Sequence, residues 1–331
     1  MEISKIRSDW NFAEASKIYN QPLLTLAYEA SRIHREYHDP NEVQVCTLLS
    51  VKTGGCPEDC GYCPQAARYQ TDVNAQKLLS VDEVVRAAKH AKEGGSTRFC
   101  MGAAWREVKD NADFDNVLEM IRQVSAMNLE VCGTLGMATE NQLQKMKAAG
   151  LHAYNHNIDT SEEFYEDIIS TRNYDERLVT LNNTRNANVT ICSGGIIGMG
   201  ESDADRIKML LTLATLDRHP ESVPINALVS IQGTPLEGKS PVSSWEMVRM
   251  IATARIMMPA SMVRLSAGRT EMSPEAQALC FMAGANSIFS GDKLLTTPNP
   301  SLGEDEQLFS DLGLYPRPAY KVEKMDCSTI N

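Results

Sequence analysis

Short runs of apolar and β-branched residues alternate with amphipathic segments along most of this chain of 331 residues. Runs of the first kind are typical of buried strands, and segments whose apolar residues recur at helical spacing are typical of helices packed on a sheet. The pattern predicts eight strands, at Val43–Val51, Thr97–Met101, Leu129–Thr134, His152–Ile158, Val189–Cys192, Val223–Ile231, Met262–Ser266 and Ser287–Phe289. Helices are predicted between nearly all of these strands, for example at Val81–Glu93, Ala204–Leu216, Trp245–Met257 and Pro274–Ala283.

Uninterrupted alternation of strand and helix indicates an α/β protein. Eight repeats predict a (β/α)8 TIM-type barrel, and a doubly wound open sheet is the alternative. An N-terminal helical extension precedes the barrel, because residues from about Asp9 to Tyr37 show near-helical spacing with a break near Pro22. We therefore expect a helical cap over residues 1–40, the barrel over residues 41–300 and a C-terminal tail over residues 301–331. This tail is polar and interrupted by proline, and we expect it to wrap the surface or to be partly disordered.

The composition, with 43% hydrophobic and 23% charged residues, is typical of a soluble globular protein. A formal net charge of −11 argues against nucleic acid or an anionic membrane as the main partner. The N-terminal residues lack the apolar core of a signal peptide, and no stretch approaches the roughly 18 apolar residues that a membrane span requires. Nine cysteines without a secretion signal indicate a reducing compartment. We therefore expect a cytoplasmic protein whose clustered cysteines serve metal binding or catalysis.

Three cysteines, Cys56, Cys60 and Cys63, lie within eight residues with the spacing C-x3-C-x2-C. Glycines before and between them allow a tight loop that turns the three thiolates toward one centre. Three ligands are one short of a closed zinc site or an ordinary electron-transfer cluster. If the centre is a [4Fe-4S] cluster, one iron is therefore open to a small molecule. A zinc knuckle completed by a distant ligand, and thiols without a metal role, are the alternatives.

Three further cysteines each lie in a different predicted strand, at Cys100, Cys132 and Cys192, and Arg264 lies in the seventh strand. With the register that we assume, all four side chains project into the barrel. A lone buried cysteine is often just a small hydrophobe, but an unpaired buried guanidinium is very unfavourable. Three thiolates of an iron–sulfur centre would supply the anion that Arg264 needs, so the four residues predict a second cluster. The remaining cysteines are expected to be structural or incidental: Cys46, Cys280 and Cys327.

Alternate polar positions in the fourth strand place Asn155, Asn157 and Asp159 on one predicted face. Amides and a carboxylate suit ribose hydroxyls or a urea-like group, which offer both donors and acceptors. A purely structural hydrogen-bonded cluster is the alternative. His156 is expected to face the other way and to be structural.

Two loops add candidate binding groups. Ser193–Glu201 is rich in glycine and would let its backbone approach a planar ligand, but it is not the fingerprint of a dinucleotide site. Lys293–Pro300, after the eighth strand, contains Thr296 and Thr297, whose hydroxyls could bind a carboxylate. A plain turn is the alternative for this second loop.

Together these residues resemble the biotin synthase family of radical S-adenosylmethionine (SAM) enzymes. The cysteine spacing, with Tyr62 directly before the last cysteine, is similar to the radical SAM signature. Other segments resemble motifs of the family itself: Val45–Gly55, Ser96–Trp105, Tyr154–Ser161, Cys192–Glu201, Val223–Asn226, Arg264–Arg269 and Phe281–Pro300. The resemblance runs from about residue 10 to residue 317.

The resemblance implies that the protein is a sulfurtransferase that inserts sulfur into dethiobiotin to give biotin, the final step of biotin biosynthesis, with SAM as the oxidant. The two carbons that receive sulfur are saturated, and no side-chain base has a pKa near that of an alkane C–H. A 5′-deoxyadenosyl radical can abstract these hydrogens, so the cofactor carries the difficult chemistry and the protein positions it.

The family's pattern also implies residue roles. Cys56, Cys60 and Cys63 would hold a [4Fe-4S] cluster whose open iron binds SAM. A [2Fe-2S] cluster that donates sulfur would be held by Cys100, Cys132, Cys192 and Arg264. The SAM ribose would meet Asn157 and Asp159, and the SAM carboxylate would meet Arg177. The adenine would meet Tyr62, Ile196 and Val229, and the methionyl end would meet the backbone near Ala103. The ureido ring of dethiobiotin would meet Asn155 and Asn226, and its carboxylate would meet Thr296 and Thr297.

The resemblance further implies a homodimer and an electron donor such as flavodoxin with its reductase. One rival hypothesis is a different radical SAM activity on the same barrel, such as a mutase or an enzyme that modifies methyl groups, which would not need the second set of ligands. Another rival is a non-catalytic electron carrier or a zinc-stabilised scaffold, which would not bind SAM.

Overall fold

The computed structural model describes residues 5–320 of the chain. Its helices are α1 (Phe12–Tyr19), α2 (Leu23–Tyr37), α3 (Val81–Glu93), α4 (Ala112–Ser125), α5 (Glu140–Ala149), α6 (Glu162–Tyr165), α7 (Tyr174–Asn186), α8 (Asp203–Ala214), α9 (Ser244–Met257), α10 (Pro274–Met282) and α11 (Leu302–Leu312). Its strands are β1 (Glu42–Lys52), β2 (Arg98–Ala103), β3 (Glu130–Thr134), β4 (Leu151–Asn155), β5 (Thr190–Cys192), β6 (Gly195–Ile197), β7 (Ser222–Ala227), β8 (Met262–Leu265), β9 (Ser287–Phe289) and β10 (Tyr315–Pro316).

Local sequence sets where the helices begin and end. Helix α3 begins after Ser80, whose side chain accepts from the backbone of Glu83 while the Glu83 side chain bonds back to the cap, as in a capping box. Helix α5 ends at Gly150, whose φ of 109° lies in the left-handed region that glycine adopts without strain. These signals fix the length of the segments that cross between successive strands.

The strands close into a barrel. Strands β1, β2, β3, β4, β5, β7, β8 and β9 follow one another in that order, and β9 pairs with β1. All of these pairs are parallel. The predicted (β/α)8 TIM-type barrel is confirmed, and the doubly wound open sheet is excluded because that sheet would have two unpaired edges.

Two strand predictions were too long. The sixth predicted strand continued to Ile231, but β7 ends at Ala227, because the chain then turns, with the amide of Thr234 bonding to the Ile231 carbonyl at 3.2 Å. The fourth continued to Ile158, but β4 ends at Asn155. The extra strand β6, in the glycine-rich loop, continues the sheet beyond the short β5 by pairing with β7.

The two N-terminal helices pack against the outside of the barrel. Helix α2 lies against α9, and α1 lies against α8 and α9. The indole of Trp10 donates to the carbonyl of Met257 at 3.2 Å, and Arg249 donates to the carbonyl of Gln21 at 2.9 Å. The division of the chain at residues 40 and 300 stays a prediction.

The segment after Ser301 is not the irregular tail that we expected. Ser301 and Glu304 form a capping box that begins α11, and Leu308 and Phe309 of this helix are buried. Asp305, also buried, pairs with the fully buried Arg269. The apolar face of α11 explains the difference, since it binds the segment to the barrel. Strand β10 then pairs with the start of β1.

The expectation for Cys327 lies outside the described residues. Within residues 5–320, every cysteine is a free thiol, and no helix is both long and apolar enough to cross a membrane.

Candidate active site

One cavity of about 330 Å³ opens among the carboxyl ends of the barrel strands, where active sites of this architecture lie. Its lining includes every residue that the sequence analysis assigned a site role except Cys192: Cys56, Cys60, Tyr62, Cys63, Cys100, Ala103, Cys132, Asn155, Asn157, Asp159, Arg177, Ile196, Asn226, Val229, Arg264, Thr296 and Thr297. Cys192 is buried directly beside the cavity, with its Sγ 3.3 Å from Nδ2 of Asn155. The structure therefore gathers all of the predicted residues in one place.

The cysteine loop after β1 is held by the two acidic residues between its first two cysteines. The carboxylate of Asp59 accepts hydrogen bonds from the backbone amides of Ser170 and Thr171 at 2.9 and 3.1 Å. Glu58 accepts from the hydroxyl of Thr171 at 2.5 Å and pairs with Arg172 at 3.3 Å. The loop between β4 and α7 thus fixes the orientation of the cysteine loop.

These surroundings shift the pKa of several groups in the loop. Burial would raise the pKa of Asp59, but the hydrogen bonds from Ser170 and Thr171 outweigh it and lower that pKa to about 2. Burial raises the pKa of the Cys60 thiol to about 12 and that of Cys63 to about 11. Cationic iron offsets such burial, because a coordinating thiol is deprotonated by the metal. The donor set, three thiols at one rim of the cavity, fits a [4Fe-4S] cluster with one open iron.

The described part of the chain contains no group of three or more histidine, cysteine, aspartate or glutamate side chains arranged around a single metal ion. A zinc knuckle needs all of its sulfurs at about 2.3 Å from one atom. In an iron–sulfur cluster each thiolate binds a different iron, so the sulfurs lie farther apart. Geometry alone leaves both the iron–sulfur cluster and the zinc knuckle open for these three cysteines.

A second set of thiols lies inside the barrel, deeper than the cysteine loop. The side chains of Cys46, Cys100, Cys132 and Cys192 pack together in one buried cluster. The guanidinium of Arg264 closes the ring, with Nη1 at 3.7 Å from Sγ of Cys192 and Nη2 at 3.3 Å from Sγ of Cys46. All five side chains are buried. We call these five residues the thiol ring.

The charge of Arg264 has no carboxylate partner among the described residues. Its Nε donates to the hydroxyl of Ser287 at 2.9 Å, its Nη2 donates to Oε1 of Gln44 at 3.3 Å, and its Cζ lies 4.6 Å from the ring centre of Phe289. The nearby carboxylate of Glu130 pairs with Arg98 instead, at 2.7 Å. The compensating charge must therefore come from the thiols, as the sequence analysis argued.

Sequence analysis treated Cys46 as structural or incidental, but the structure places it in the thiol ring. Burial alone would raise the pKa of its thiol, yet the hydrogen bond with Cys100 and the charges of Arg264 and Arg98 lower that pKa to about 6. Its signal in the sequence is its alternation with Leu48 in the first predicted strand, which does not separate it from an ordinary buried thiol. Cys280, by contrast, is buried in α10, outside the cavity.

The three polar residues of the fourth predicted strand share a cavity but not a strand. Only Asn155 belongs to β4, and Asp159 has a φ of 68°, outside the extended region. The side-chain oxygen of Asn157 accepts from Nδ2 of Asn155 at 3.1 Å and from the backbone amide of Gly194 at 3.2 Å. The side-chain oxygen of Asn157 is thus bonded on two sides, while its Nδ2 has no hydrogen-bond partner among the described residues.

Arg177 and Asp159 form a buried ion pair at the edge of the cavity. Nη2 of Arg177 lies 2.5 Å from Oδ2 of Asp159, and its Nε donates to the hydroxyl of Tyr165 at 2.8 Å. The two side chains are 8% and 3% exposed. Each can thus reach a ligand only in the orientation that the other imposes.

The glycine-rich loop after β5 lets three backbone segments meet. A Cβ on Gly194 would lie 1.9 Å from the carbonyl oxygen of Pro224, and one on Gly195 would lie 2.4 Å from the carbonyl oxygen of Asp159. Asn226 of β7 donates to the carbonyl of Gly195 at 3.0 Å. The cavity wall between β4 and β7 can form only because both glycines lack side chains.

The loop after β9 covers the cavity with apolar side chains beside its hydroxyls. Leu294, Leu295, Thr296 and Thr297 all line the cavity. The amide of Leu294 bonds to the carbonyl of Thr297 at 2.9 Å, which keeps the two threonines in a tight turn. The loop can therefore present hydroxyls to a polar group while its leucines exclude water.

His156, which we expected to face away from Asn155, and Arg172, which the sequence did not single out, lie close together in the structure. Both line the cavity. Burial lowers the pKa of His156 well below its ordinary value, so the ring is neutral, and its Nε2 has no hydrogen-bond partner among the described residues. Alternation along a strand predicted that His156 faces away, but β4 has already ended at Asn155, so the alternation does not apply.

Comparison with known proteins identifies the family. The family model described as the Radical SAM superfamily matches residues 50–213, and the Biotin and Thiamin Synthesis associated domain matches residues 224–315. The chain is 64% identical over 319 residues to biotin synthase of Cytophaga hutchinsonii, covering 96% of this chain and 95% of that protein. It is 58% identical over 313 residues to the mitochondrial biotin synthase of Arabidopsis thaliana, covering 94% of this chain and 83% of that protein.

Solved structures with the same fold are more distant in sequence. Methylornithine synthase superposes with a TM-score of 0.78 at 18% identity, covering 93% of this chain and 94% of its own. The FeFe-hydrogenase maturase HydG from Carboxydothermus hydrogenoformans superposes with a TM-score of 0.79 at 17% identity, covering 93% and 76%. These similarities show the fold alone. Sequence identity of more than half along nearly the whole chain shows more: the chain belongs to the biotin synthase family, the sulfurtransferases of biotin biosynthesis that are radical SAM enzymes.

Proposed function

We propose that this chain inserts sulfur into dethiobiotin to give biotin, and that the thiol ring holds the cluster that donates this sulfur. The observation that carries the proposal is that one cavity joins two separate sets of thiols, one at the rim and one inside the barrel. A radical SAM enzyme that only removed hydrogen would need the rim set alone. A second set, around a buried arginine without a carboxylate partner, supports a sulfur-carrying centre within reach of the same substrate.

Membership of the radical SAM superfamily implies SAM and a [4Fe-4S] cluster. We assign the cluster to Cys56, Cys60 and Cys63. When bound, the cluster and SAM supply the oxidant that removes hydrogen from a saturated carbon, which no side chain could do as a base. The chain's own contribution here is rigid placement, since Glu58 and Asp59 fix the loop against the segment after β4.

The second cluster is assigned to Cys100, Cys132, Cys192 and Arg264, and we propose a [2Fe-2S] cluster. Soft thiolate ligands select iron–sulfur clusters, and the Arg264 side chain could supply a nitrogen ligand once it has lost a proton and become a neutral guanidine. The ring lies inside the barrel, where burial excludes water and competing thiols from the sulfur that is to be transferred.

Several groups around the cavity are arranged to hold SAM. The free Nδ2 of Asn157 and the carboxylate of Asp159 suit the ribose hydroxyls, and Arg177, fixed by Asp159 and Tyr165, suits the SAM carboxylate. A flat ligand such as adenine would contact three partly apolar residues of the lining, Tyr62, Ile196 and Val229. The backbone near Ala103, at the end of β2, would meet the methionyl end.

The proposed dethiobiotin site lies between the two sets of thiols. Asn155 and Asn226 each offer an amide to the ureido ring, which has both donors and acceptors. Thr296 and Thr297 would bind the carboxylate at the other end of the substrate, and the leucines of the same loop would exclude water. The homodimer, electron delivery by flavodoxin and its reductase, and the cytoplasmic location stay predictions.

The test is an anaerobic assay of reconstituted protein with SAM, a reductant and dethiobiotin, in which mass spectrometry measures biotin and 5′-deoxyadenosine. We expect both products from the native chain, and 5′-deoxyadenosine without biotin from Cys100→Ala. Cys280→Ala, which removes a buried thiol outside the cavity, is the matched control and should form both products. Biotin from Cys100→Ala at the native rate would refute the role of the thiol ring. Neither product from native protein that holds both clusters would refute the proposed reaction.

A further inference from the structure

We propose that Cys46 is a reserve ligand of the second cluster, whose thiolate takes the coordination position of Arg264 when the guanidine leaves the iron. The inference rests on the proposed function, because it presupposes a cluster in the thiol ring. It assigns a chemical role to a residue for which the resemblance to the family implied none.

The position of Cys46 in the barrel supports this role. Cys46 lies on β1 and pairs in register with Phe289 of β9, whose side chain lines the cavity and lies under Arg264. Leu48, two residues later on the same strand, also lines the cavity. Side chains two apart on a strand share a face, so the thiol of Cys46 points into the barrel beside the thiols of the proposed ligands.

The contacts of Cys46 place it between two proposed ligands. Its side chain packs in the same buried cluster as Cys100, and its sulfur lies 3.3 Å from Nη2 of Arg264. Its other polar neighbours are Oε1 of Gln44 at 3.7 Å and the hydroxyl of Ser287 at 3.8 Å. A small apolar side chain would fill this position without leaving a sulfur among the ligands, so packing alone does not explain a thiol here.

The exchange balances without any redox change. The bond between iron and the Arg264 nitrogen breaks, and a bond between iron and the Cys46 sulfur forms. In the cluster-bound state, where Arg264 is a neutral guanidine, Cys46 is a thiol; its proton goes to the guanidine nitrogen, which becomes a guanidinium ion again. The 3.3 Å separation of Nη2 and Sγ allows a direct transfer. The new thiolate and the new guanidinium remain adjacent, so the buried positive charge keeps an anionic partner.

The consequence is that the chain can hold the second cluster with four thiolates, the ligand set of an ordinary [2Fe-2S] protein. The thiol ring already supplies this set, from β1, β2, β3 and β5. Loss of Arg264 should therefore change the character of the cluster without abolishing its assembly, provided that Cys46 is present.

The experiment compares Arg264→Ala, Cys46→Ser and the double variant with the native chain, each reconstituted with iron and sulfide as the full chain. Iron and sulfide content and Mössbauer spectra of ⁵⁷Fe-labelled protein are the measurements. In Arg264→Ala we expect the second cluster to remain, with the spectrum of an all-thiolate site. In the double variant we expect it to be lost, so that iron falls by about two of about six atoms per chain. Cys280→Ser is the matched control and should retain both clusters.

The [4Fe-4S] signal of the cysteine loop serves as an internal measure of folding, because it comes from the same chain but not from the thiol ring. The inference is overturned if Arg264→Ala loses the second cluster while keeping the first, or if Arg264→Ala and the double variant have the same iron content and spectrum. A native chain that forms biotin without a second cluster would overturn the proposed sulfur donor, and the inference with it. If the native chain forms biotin and holds its second cluster, but the variants give either of the two results that overturn the inference, only the role of Cys46 is refuted.

Discussion

Breaking the buried ion pair between Arg177 and Asp159 should destabilise the fold as well as weaken SAM binding. Asp159→Asn keeps the shape of the side chain but removes its charge, and leaves Arg177 with the neutral hydroxyl of Tyr165 as its remaining partner. Two unit charges about 4 Å apart interact by about 4 kcal/mol at an effective protein dielectric constant of about 20. Loss of one partner from a buried pair typically costs about 3–5 kcal/mol. Because this pair borders a cavity, we expect a loss of about 3 kcal/mol in the free energy of unfolding.

The assay is urea unfolding of anaerobically reconstituted protein, followed by tryptophan fluorescence, for Asp159→Asn, Arg177→Met and the double variant. We expect each single variant to lose about 3 kcal/mol and the double variant to lose clearly less than the sum, because it contains no unpaired buried charge. A loss below about 1 kcal/mol in both single variants, or losses that simply add, would refute this account of the pair.

A second ion pair separates stability from ligand binding. Asp305 and Arg269 are also buried and paired, but neither lines the cavity. Asp305→Asn should therefore lose a similar free energy of unfolding and keep native affinity for SAM in equilibrium dialysis. Asp159→Asn should lose both. Weakened SAM binding in Asp305→Asn would mean that general destabilisation, rather than contact with the ligand, explains the effect at Asp159.

Three further outcomes are expected. Gly194→Ala should lower the melting temperature sharply or prevent folding, since its Cβ would lie 1.9 Å from a carbonyl oxygen, whereas Gly303→Ala, whose Cβ meets nothing within 4 Å, should leave it unchanged or higher. Because the pKa of Asp59 is lowered from 3.8 to about 2, the stability that its carboxylate contributes is present above about pH 4 and is lost as the pH falls toward 2. Asp59→Asn should remove this dependence from unfolding curves measured across that range. Replacing Thr296 and Thr297 together by valine should raise the KM for dethiobiotin by about tenfold, because about 1.4 kcal/mol of hydrogen bonding is lost. The kcat should change little. An unchanged KM would show that these residues do not belong to the substrate site.

The barrel was predictable from the sequence because each strand is a short β-branched run between amphipathic helices, and helix starts such as Ser80 carry their own capping signals. Strand ends were less predictable. Beyond Asn155 the sequence keeps an alternating polar pattern, but the side chain of Asn157 bonds to the backbone amide of Gly194, far along the chain. Beyond Ala227 the apolar run continues to Ile231, although β7 has already ended. A local sequence pattern gives no information about partners that lie far along the chain. The same is true of α11, whose burial depends on the barrel surface.

The candidate site divides in a similar way. The spacing of Cys56, Cys60 and Cys63 lies within one loop and could be found from the sequence. Arg264 could be found because a buried guanidinium demands an anion. Cys46 could not be separated from an ordinary buried thiol, because its neighbours come from other strands, and only the closed barrel brings it to 3.3 Å from Arg264.

The residues of the thiol ring lie far apart along the chain, so they are synthesised at different times. The cysteine loop is held by partners no later than Leu236, so it is complete before the last two of the eight barrel strands exist. The thiol ring needs Arg264 from β8, and β1 gains its second neighbour only when Ser287 emerges. Since domains emerge from the ribosome N-terminus first, the ring thiols stay open to solvent until the barrel closes. The ligand set proposed for the second cluster is therefore complete only in a nearly finished chain, later than that of the cysteine loop.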